Sequence, residues 1–136
     1  MPDKNLKFLV VDDFSLMRRI VRRLLNELGY VNVDEADSMA GTLSKLKNED
    51  FGFVILDWES SEIDGPEMLK SIRSDSKLRH LPVLIFASPA KRADIHAAAE
   101  AWHCGWLVKP FAVCSLGKHL SLTSLNTRIA LQVGYI

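Results

Sequence analysis

The sequence has no net charge, little cysteine and no long apolar run, and each absence removes a class of function. Seventeen Lys and Arg balance seventeen Asp and Glu, so no global field draws the chain to nucleic acid or to an anionic membrane. No apolar stretch reaches membrane-spanning length, and the opening MPDKNLK lacks the apolar centre of a signal peptide. The two cysteines, Cys104 and Cys114, form no CxxC pair. With His103 and His119 nearby they suggest a metal site, but free thiols in a reduced cytoplasm are the expected state. His80 and His96 stand alone and are read as surface residues. There is no repeat, linker or low-complexity segment, and 136 residues suit one domain with one core.

What is present is a regular alternation of short apolar runs and helical patterns. Lys7–Asp12 reads as a strand buried on both faces. Phe14–Leu28 is the clearest helix, with Met17, Ile20, Val21, Leu24, Leu25 and Leu28 at helical spacing and Gly29 as its stop. Its other side carries Arg18, Arg19, Arg22 and Arg23, read as a solvated face in a neutral chain without a second basic element. Val31–Ala36 is a second strand. Ser38–Lys47 is a weaker helix, to which Gly41 costs about 1 kcal/mol. A strand at Phe51–Asp57, a polar loop at Trp58–Asp64 and a helix at Gly65–Ser74 with Pro66 in its first turn follow. Then come a strand at Leu81–Ala87, an alanine-rich helix at Pro89–Trp102 and a strand at Gly105–Val108.

A last helix is expected from near Ala112, but Gly117, Ser121, Thr123 and Ser124 write it poorly. The end of the chain, TRIALQVGYI, alternates Ile129, Leu131 and Val133 at a strand period. A single domain is therefore expected over residues 1–124, with residues 125–136 an unplaced tail. Five strand–helix alternations predict right-handed crossovers and a parallel sheet with helices on both faces. In such sheets ligands bind outside the carboxyl ends of the strands.

Those ends carry a constellation. Strand one ends in Asp12 and Asp13, strand three in Asp57 and strand five in Lys109. All four charges belong on one edge of the sheet. Carboxylates gathered within a few ångströms need a cation to stay ionised together. A hard divalent ion with oxygen ligands answers this, and Mg2+ fits best because it leaves positions open for water and a phosphoryl oxygen. Lys109 can hold a phosphoryl oxygen or one aspartate. The pattern points to a carboxylate nucleophile that takes a phosphoryl group.

The segments KFLVVDDFS, MRRIVRRLL, GFVILDW, IDG, LPVLI, HAAAEA and LVKPF resemble a response-regulator receiver domain, specifically of the chemotaxis CheY type, over about residues 3–120. The resemblance implies a flavodoxin-like five-stranded parallel sheet in the order 2-1-3-4-5. It implies that Asp57 is the phosphoacceptor and that Asp13 binds Mg2+ directly. Asp12 would act partly through water, and the backbone after Trp58, the carbonyl of Glu59, would complete the site. Lys109 would contact the phosphoryl group, with a cis peptide before Pro110. Such domains take phosphate from a histidine kinase, hydrolyse it slowly and signal by binding a partner: a flagellar motor switch protein, with a phosphatase to reset it. A monomer without nucleic-acid or membrane contacts is expected.

The sequence departs from the family at the other end of the pocket. Ala87 stands where the family has Thr or Ser, and the neighbouring Ser88 is the possible substitute. Trp106 stands at the switch aromatic, Tyr in the chemotaxis type. With Ala87 small and indole large, Trp106 is expected to rest inward with or without phosphate, partly uncoupling output from Asp57; the alternative is that it simply replaces Tyr and stays mobile. Glu59 adds a carboxylate that tightens metal binding, bridges to Lys109 or is simply a solvated loop acid. Ser61 replaces a usual proline, Pro89 an acid and Trp102 a glycine. The output face would include Ala90, Lys91, Arg92, Ile95, Trp106, Val108 and Phe111, a basic and apolar patch able to take an amphipathic peptide. Two rivals are a binding module or phosphate sink whose output ignores phosphorylation, and a dehalogenase-type phosphatase. The latter is disfavoured because no cap domain accompanies the acid at Glu59.

Overall fold

A computed structural model of the chain describes residues 2–134. Strands β1 (Phe8–Val11), β2 (Val33–Ala36), β3 (Phe53–Asp57), β4 (Val83–Ala87) and β5 (Gly105–Val108) form one parallel sheet. Their order is β2-β1-β3-β4-β5, as the resemblance implied. Helices α1 (Ser15–Glu27), α2 (Met39–Asn48), α3 (Gly65–Ser74), α4 (Arg92–Trp102) and α5 (Val113–Gln132) connect and cover the strands.

The pleat sorts the core into two layers. Leu9, Val11, Val54, Leu56, Val83, Ile85 and Ala87 face one side, where Leu46, Met68, Leu69, Ile72 and Ile95 from α2, α3 and α4 meet them. Phe8, Val10, Phe53, Ile55, Leu84, Phe86 and Leu107 face the other, against Val21 and Leu25 of α1 and Leu116 and Leu120 of α5. Because β1, β3 and β4 are buried throughout, polar side chains at their carboxyl ends sit on a rigid frame.

Several local features explain residues that looked unfavourable. Gly41 lies within the first turn of α2, where its N–H donates to Ser38 Oγ at 3.0 Å. A Cβ there would lie 2.8 Å from that oxygen, so the glycine makes room for the cap. Helix α4 ends without glycine: His103 adopts the left-handed conformation (φ 56°). Arg73, at the end of α3, supports that turn. Its Nε donates to Trp102 O at 2.8 Å and its Nη2 to His103 O at 3.3 Å. Its Nη1 donates to Leu81 O at 2.7 Å and to Arg79 O at 3.0 Å.

Two expectations along the chain change. The segment read as a helix from Pro89 begins with a 3-10 turn over Pro89–Lys91, and α4 starts at Arg92. Helix α5 continues through residue 124 to Gln132, so Ile129 and Leu131 are helical rather than strand-like; Tyr135 and Ile136 lie outside the described residues. Tertiary packing overrides the weak propensities: Gly105 brings β5 so close to α5 that a Cβ there would lie 1.8 Å from Thr123 Oγ1. Among the described residues no helix is long and apolar enough to cross a membrane. The basic face of α1 is turned partly onto β2, where Arg18 Nε and Arg22 Nη2 reach Glu35 at 2.8 and 2.9 Å.

A candidate phosphoacceptor pocket at the carboxyl edge

Register brings the acids together. Val11 pairs with Leu56, so the next residues, Asp12 and Asp57, leave adjacent strands side by side. The backbone secures both ends: Asp12 N donates to Ala36 O at 3.1 Å and Trp58 N to Phe86 O at 2.9 Å. Asp13 follows at the start of the loop into α1. One carboxylate oxygen from each of Asp12, Asp13 and Asp57 lies within 4.8 Å of the others. Lys109 leaves β5 beside them, its N donating to Ala87 O at 2.8 Å and its Nζ 3.6 Å from Asp57 Oδ1. The Lys109–Pro110 peptide is cis.

The three carboxylates are not alike. Asp12 and Asp57 are buried, whereas Asp13 is half-buried. Burial pushes the Asp12 carboxyl up to about 7; the Phe14 N–H opposes this, while the charge of Asp57 adds to it. Asp12 Oδ1 accepts from Phe14 N at 3.0 Å, but Oδ2 is buried without a hydrogen-bond partner among the described residues. A buried carboxylate oxygen left open beside two further acids fits a hard cation. The cluster can therefore hold a metal ion with oxygen ligands.

Asp13 is pulled the other way. Its Oδ2 accepts from Ser61 Oγ at 2.7 Å and from Ser61 N at 3.0 Å, and the Ser61 hydroxyl holds the carboxyl below its usual range. The sequence signal for this contact was the missing proline at position 61, since proline has no N–H to donate. Asp57 Oδ1 accepts from Glu59 N at 3.0 Å. Trp58 lies over the start of α3, where a Cβ on Gly65 would come within 2.5 Å of the indole.

The β4 side of the pocket is built differently. Ala87 is fully buried and brings no hydroxyl. Ser88 has one, but it donates to Glu59 Oε1 at 2.5 Å, and Ser88 N donates to Glu59 Oε2 at 3.3 Å. Glu59 thus bridges to Ser88 rather than to Lys109, and the Ser88 hydroxyl holds its carboxyl below the usual range, with help from Lys109 and Lys91. Trp106 is half-buried and packs against the core layer that contains Ala87 and Ile95. Its ring centroid lies 5.5 Å from that of His96.

The expected output face is only partly assembled. Ala90, Lys91 and Arg92 are exposed, and Trp106 and Val108 share one side of β5. Ile95 is fully buried and does not belong to that surface, because it and Ala99, one turn apart on α4, are the helix residues packed inward. Phe111 packs on the opposite layer, edge-on to Phe86 at 5.8 Å. Cys104 and Cys114 are free, and burial raises the Cys104 thiol to about 11. Neither joins a cluster of potential metal ligands among the described residues.

A doubly wound sheet with acids on its first and third strand ends and a lysine on its fifth defines a phosphoacceptor-type signalling domain. The chain belongs to the response regulator receiver domain family, whose model matches residues 8–121. It is 48% identical over 118 residues to the chemotaxis protein CheY-3 of Vibrio cholerae, covering 87% of this chain and 91% of that protein. The structure of the chemotaxis response regulator CheY4 of Vibrio cholerae superposes with TM-score 0.71 at 31% identity, over 88% of this chain and 98% of that one. The response regulator TrrA of Thermotoga maritima, solved in complex with Mg(2+)-BeF, gives TM-score 0.72 at 28% identity, over 87% and 98%.

Proposed function

We propose that the protein is a chemotaxis-type response regulator that accepts a phosphoryl group on Asp57 in a Mg2+-dependent reaction. The observation that carries this reading is the meeting of Asp12, Asp13 and Asp57 within 4.8 Å, with Lys109 3.6 Å from Asp57. Asp13, Asp12, Asp57 and the main-chain carbonyl of Glu59 would hold the ion. When bound, Mg2+ supplies positive charge that offsets the developing phosphoryl charge. The carboxylate of Asp57 attacks phosphorus, an O–P bond forms, and the P–N bond of a kinase phosphohistidine breaks, with the imidazole leaving. Lys109 holds a phosphoryl oxygen, and the Glu59 N–H keeps Asp57 oriented. Hydrolysis of the acyl phosphate is slow, so the product is a signal rather than a turnover. The cytoplasm is the setting, a chemotaxis histidine kinase is the donor, and a flagellar motor switch protein and a phosphatase are the partners that read and reset it.

The test is phosphorylation by acetyl phosphate with and without Mg2+, followed by intact mass and Trp58 fluorescence. One phosphoryl mass gain that needs Mg2+ and disappears in Asp57→Asn is expected. No gain at saturating donor overturns the reading.

A second reading concerns output. The full burial of Ala87 and the packing of Trp106 against its core layer favour a switch aromatic that stays inward in both states. The α4–β5–α5 face would then respond weakly to Asp57. Trp106 fluorescence unchanged by a beryllofluoride mimic is expected; a clear outward-to-inward movement sinks this reading.

A further inference from the structure

The basic face of α1 divides into two pairs. Arg19 and Arg23 are exposed. Arg18 and Arg22 turn onto β2, and the Arg18 side chain keeps only 16% of its surface exposed. Ordering and desolvating a guanidinium is costly, so its contacts must offset that cost. Arg18 makes two, in different directions. Its Nε donates to Glu35 Oε1 at 2.8 Å, and its Nη1 donates to the main-chain oxygen of Asp12 at 2.8 Å. Glu35 is itself held, since Arg22 Nη2 reaches its other oxygen at 2.9 Å. Arg18 thus ties β2 to the end of β1, at the peptide that links Asp12 to Asp13.

The Asp12 carbonyl lies in the plane of that peptide, so its direction sets how Asp13 leaves the strand. Two further contacts fix Asp12. Its N–H donates to Ala36 O at 3.1 Å, and its Oδ1 accepts from Phe14 N at 3.0 Å. Oδ2 stays buried and without a hydrogen-bond partner among the described residues. A cation beside a cation site is unfavourable by itself, and Glu35 offsets the charge of Arg18. What Arg18 adds is therefore geometry. Its planar fork spans a carboxylate and a carbonyl in fixed directions, whereas lysine offers the same charge on one nitrogen. The two common hard cations differ in what they demand of such a frame. Mg2+ needs near-ideal octahedral oxygens at about 2.0–2.1 Å, while Ca2+ accepts a looser shell of about 6–8. Fixing the peptide between two acids matters most for the smaller ion.

We propose that Arg18 is a positioning residue for the metal end of the pocket: anchored by Glu35, its guanidinium fixes the Asp12–Asp13 peptide and so favours Mg2+ over the larger Ca2+. The inference rests on the reading of Asp12 and Asp13 as Mg2+ ligands. Arg18 touches neither the ion nor the phosphoryl group and acts through the main chain. Glu35 is the anchor on β2. Its loss is milder than that of Arg18, because Nη1 still reaches the Asp12 carbonyl.

Calorimetric titration of the full chain with Mg2+ and, separately, with Ca2+ tests the proposal. Arg18→Lys keeps the charge and is expected to weaken Mg2+ by about tenfold and Ca2+ by only about threefold, at an unchanged urea midpoint without metal. Should that variant lower the midpoint, Glu35→Gln carries the same comparison, with a loss of about threefold expected for Mg2+ and less for Ca2+. Unchanged Mg2+ affinity in Arg18→Lys overturns the proposal. An equal loss for both ions also overturns it, since a general structural or charge role moves the two together. If the unsubstituted protein binds neither ion, the Mg2+ reading itself falls and takes this inference with it; binding retained in full by both variants removes the inference alone.

Discussion

The two halves of the pocket obey different rules. On the β1–β3 side, register sets the site: Val11 pairs with Leu56, so the residues that follow them on adjacent strands, Asp12 and Asp57, meet at one edge. On the β4–β5 side, Ala87 leaves the strand end without a hydroxyl, and side-chain contacts made across loops take over. Glu59 and Ser88 join the loops after β3 and β4, and Trp106 packs where the core admits it. The β1–β3 side is fixed by backbone geometry and the β4–β5 side by replaceable side chains, which makes the β4–β5 side the easier one to alter.

The largest expected effect tests whether the acidic side is held together by charge. The Asp12 carboxyl lies near 7, well above its ordinary value. A raised carboxyl stabilises the metal-free fold fully below the ordinary range and loses that contribution as pH rises through about 7. Metal binding runs opposite, because the ion displaces the proton. Below pH 7, Mg2+ affinity should fall by about tenfold per pH unit, measurable by titration of Trp58 fluorescence. A flat profile from pH 5 to 8 would show that the ion displaces no proton from Asp12.

The next prediction attempts to erase the difference between the halves. Ala87→Thr restores a hydroxyl at a fully buried position against Trp106 and its core layer. A loss of about 1–3 kcal/mol of stability is expected from overpacking, together with a Trp106 signal that now responds to beryllofluoride. Unchanged stability would mean that the indole yields freely. Ser61→Pro is smaller in effect: it removes both hydrogen bonds to Asp13 and should weaken Mg2+ by about threefold to tenfold while sparing the fold. Smallest is Ser88→Ala. Its contact with Glu59 is exposed, so a change within about 1 kcal/mol in urea unfolding is expected. A much larger loss would make this bridge a structural element of the β4–β5 side.

What the sequence revealed follows the same division. The sheet was legible because apolar runs and helical patterns alternate, and Asp12, Asp13, Asp57 and Lys109 were legible because they close three of those runs. Contacts that span 48 residues (Ser61 to Asp13) or 29 (Ser88 to Glu59) leave no periodic trace; only the absent proline at Ser61 hinted at one. Ile95 was misplaced because its position was carried over from the family's surface, whereas on α4 it is the large apolar side chain that packs inward beside Ala99. Helix α5 was unreadable in its last turns because its pattern is inverted, with threonines inside and leucines outside. Local propensity has no rule for a helix whose outer face is the more apolar one.

Arg73 has a consequence for how the molecule opens. Its one guanidinium serves carbonyls in the α3–β4 connection and in the turn that leads into β5. Withdrawing it removes a donor from four carbonyls at once, so neither segment can fray without disturbing the other. Segments tied in this way are expected to open together in amide exchange, the end of α3 with the entry to β4 and the left-handed turn at His103.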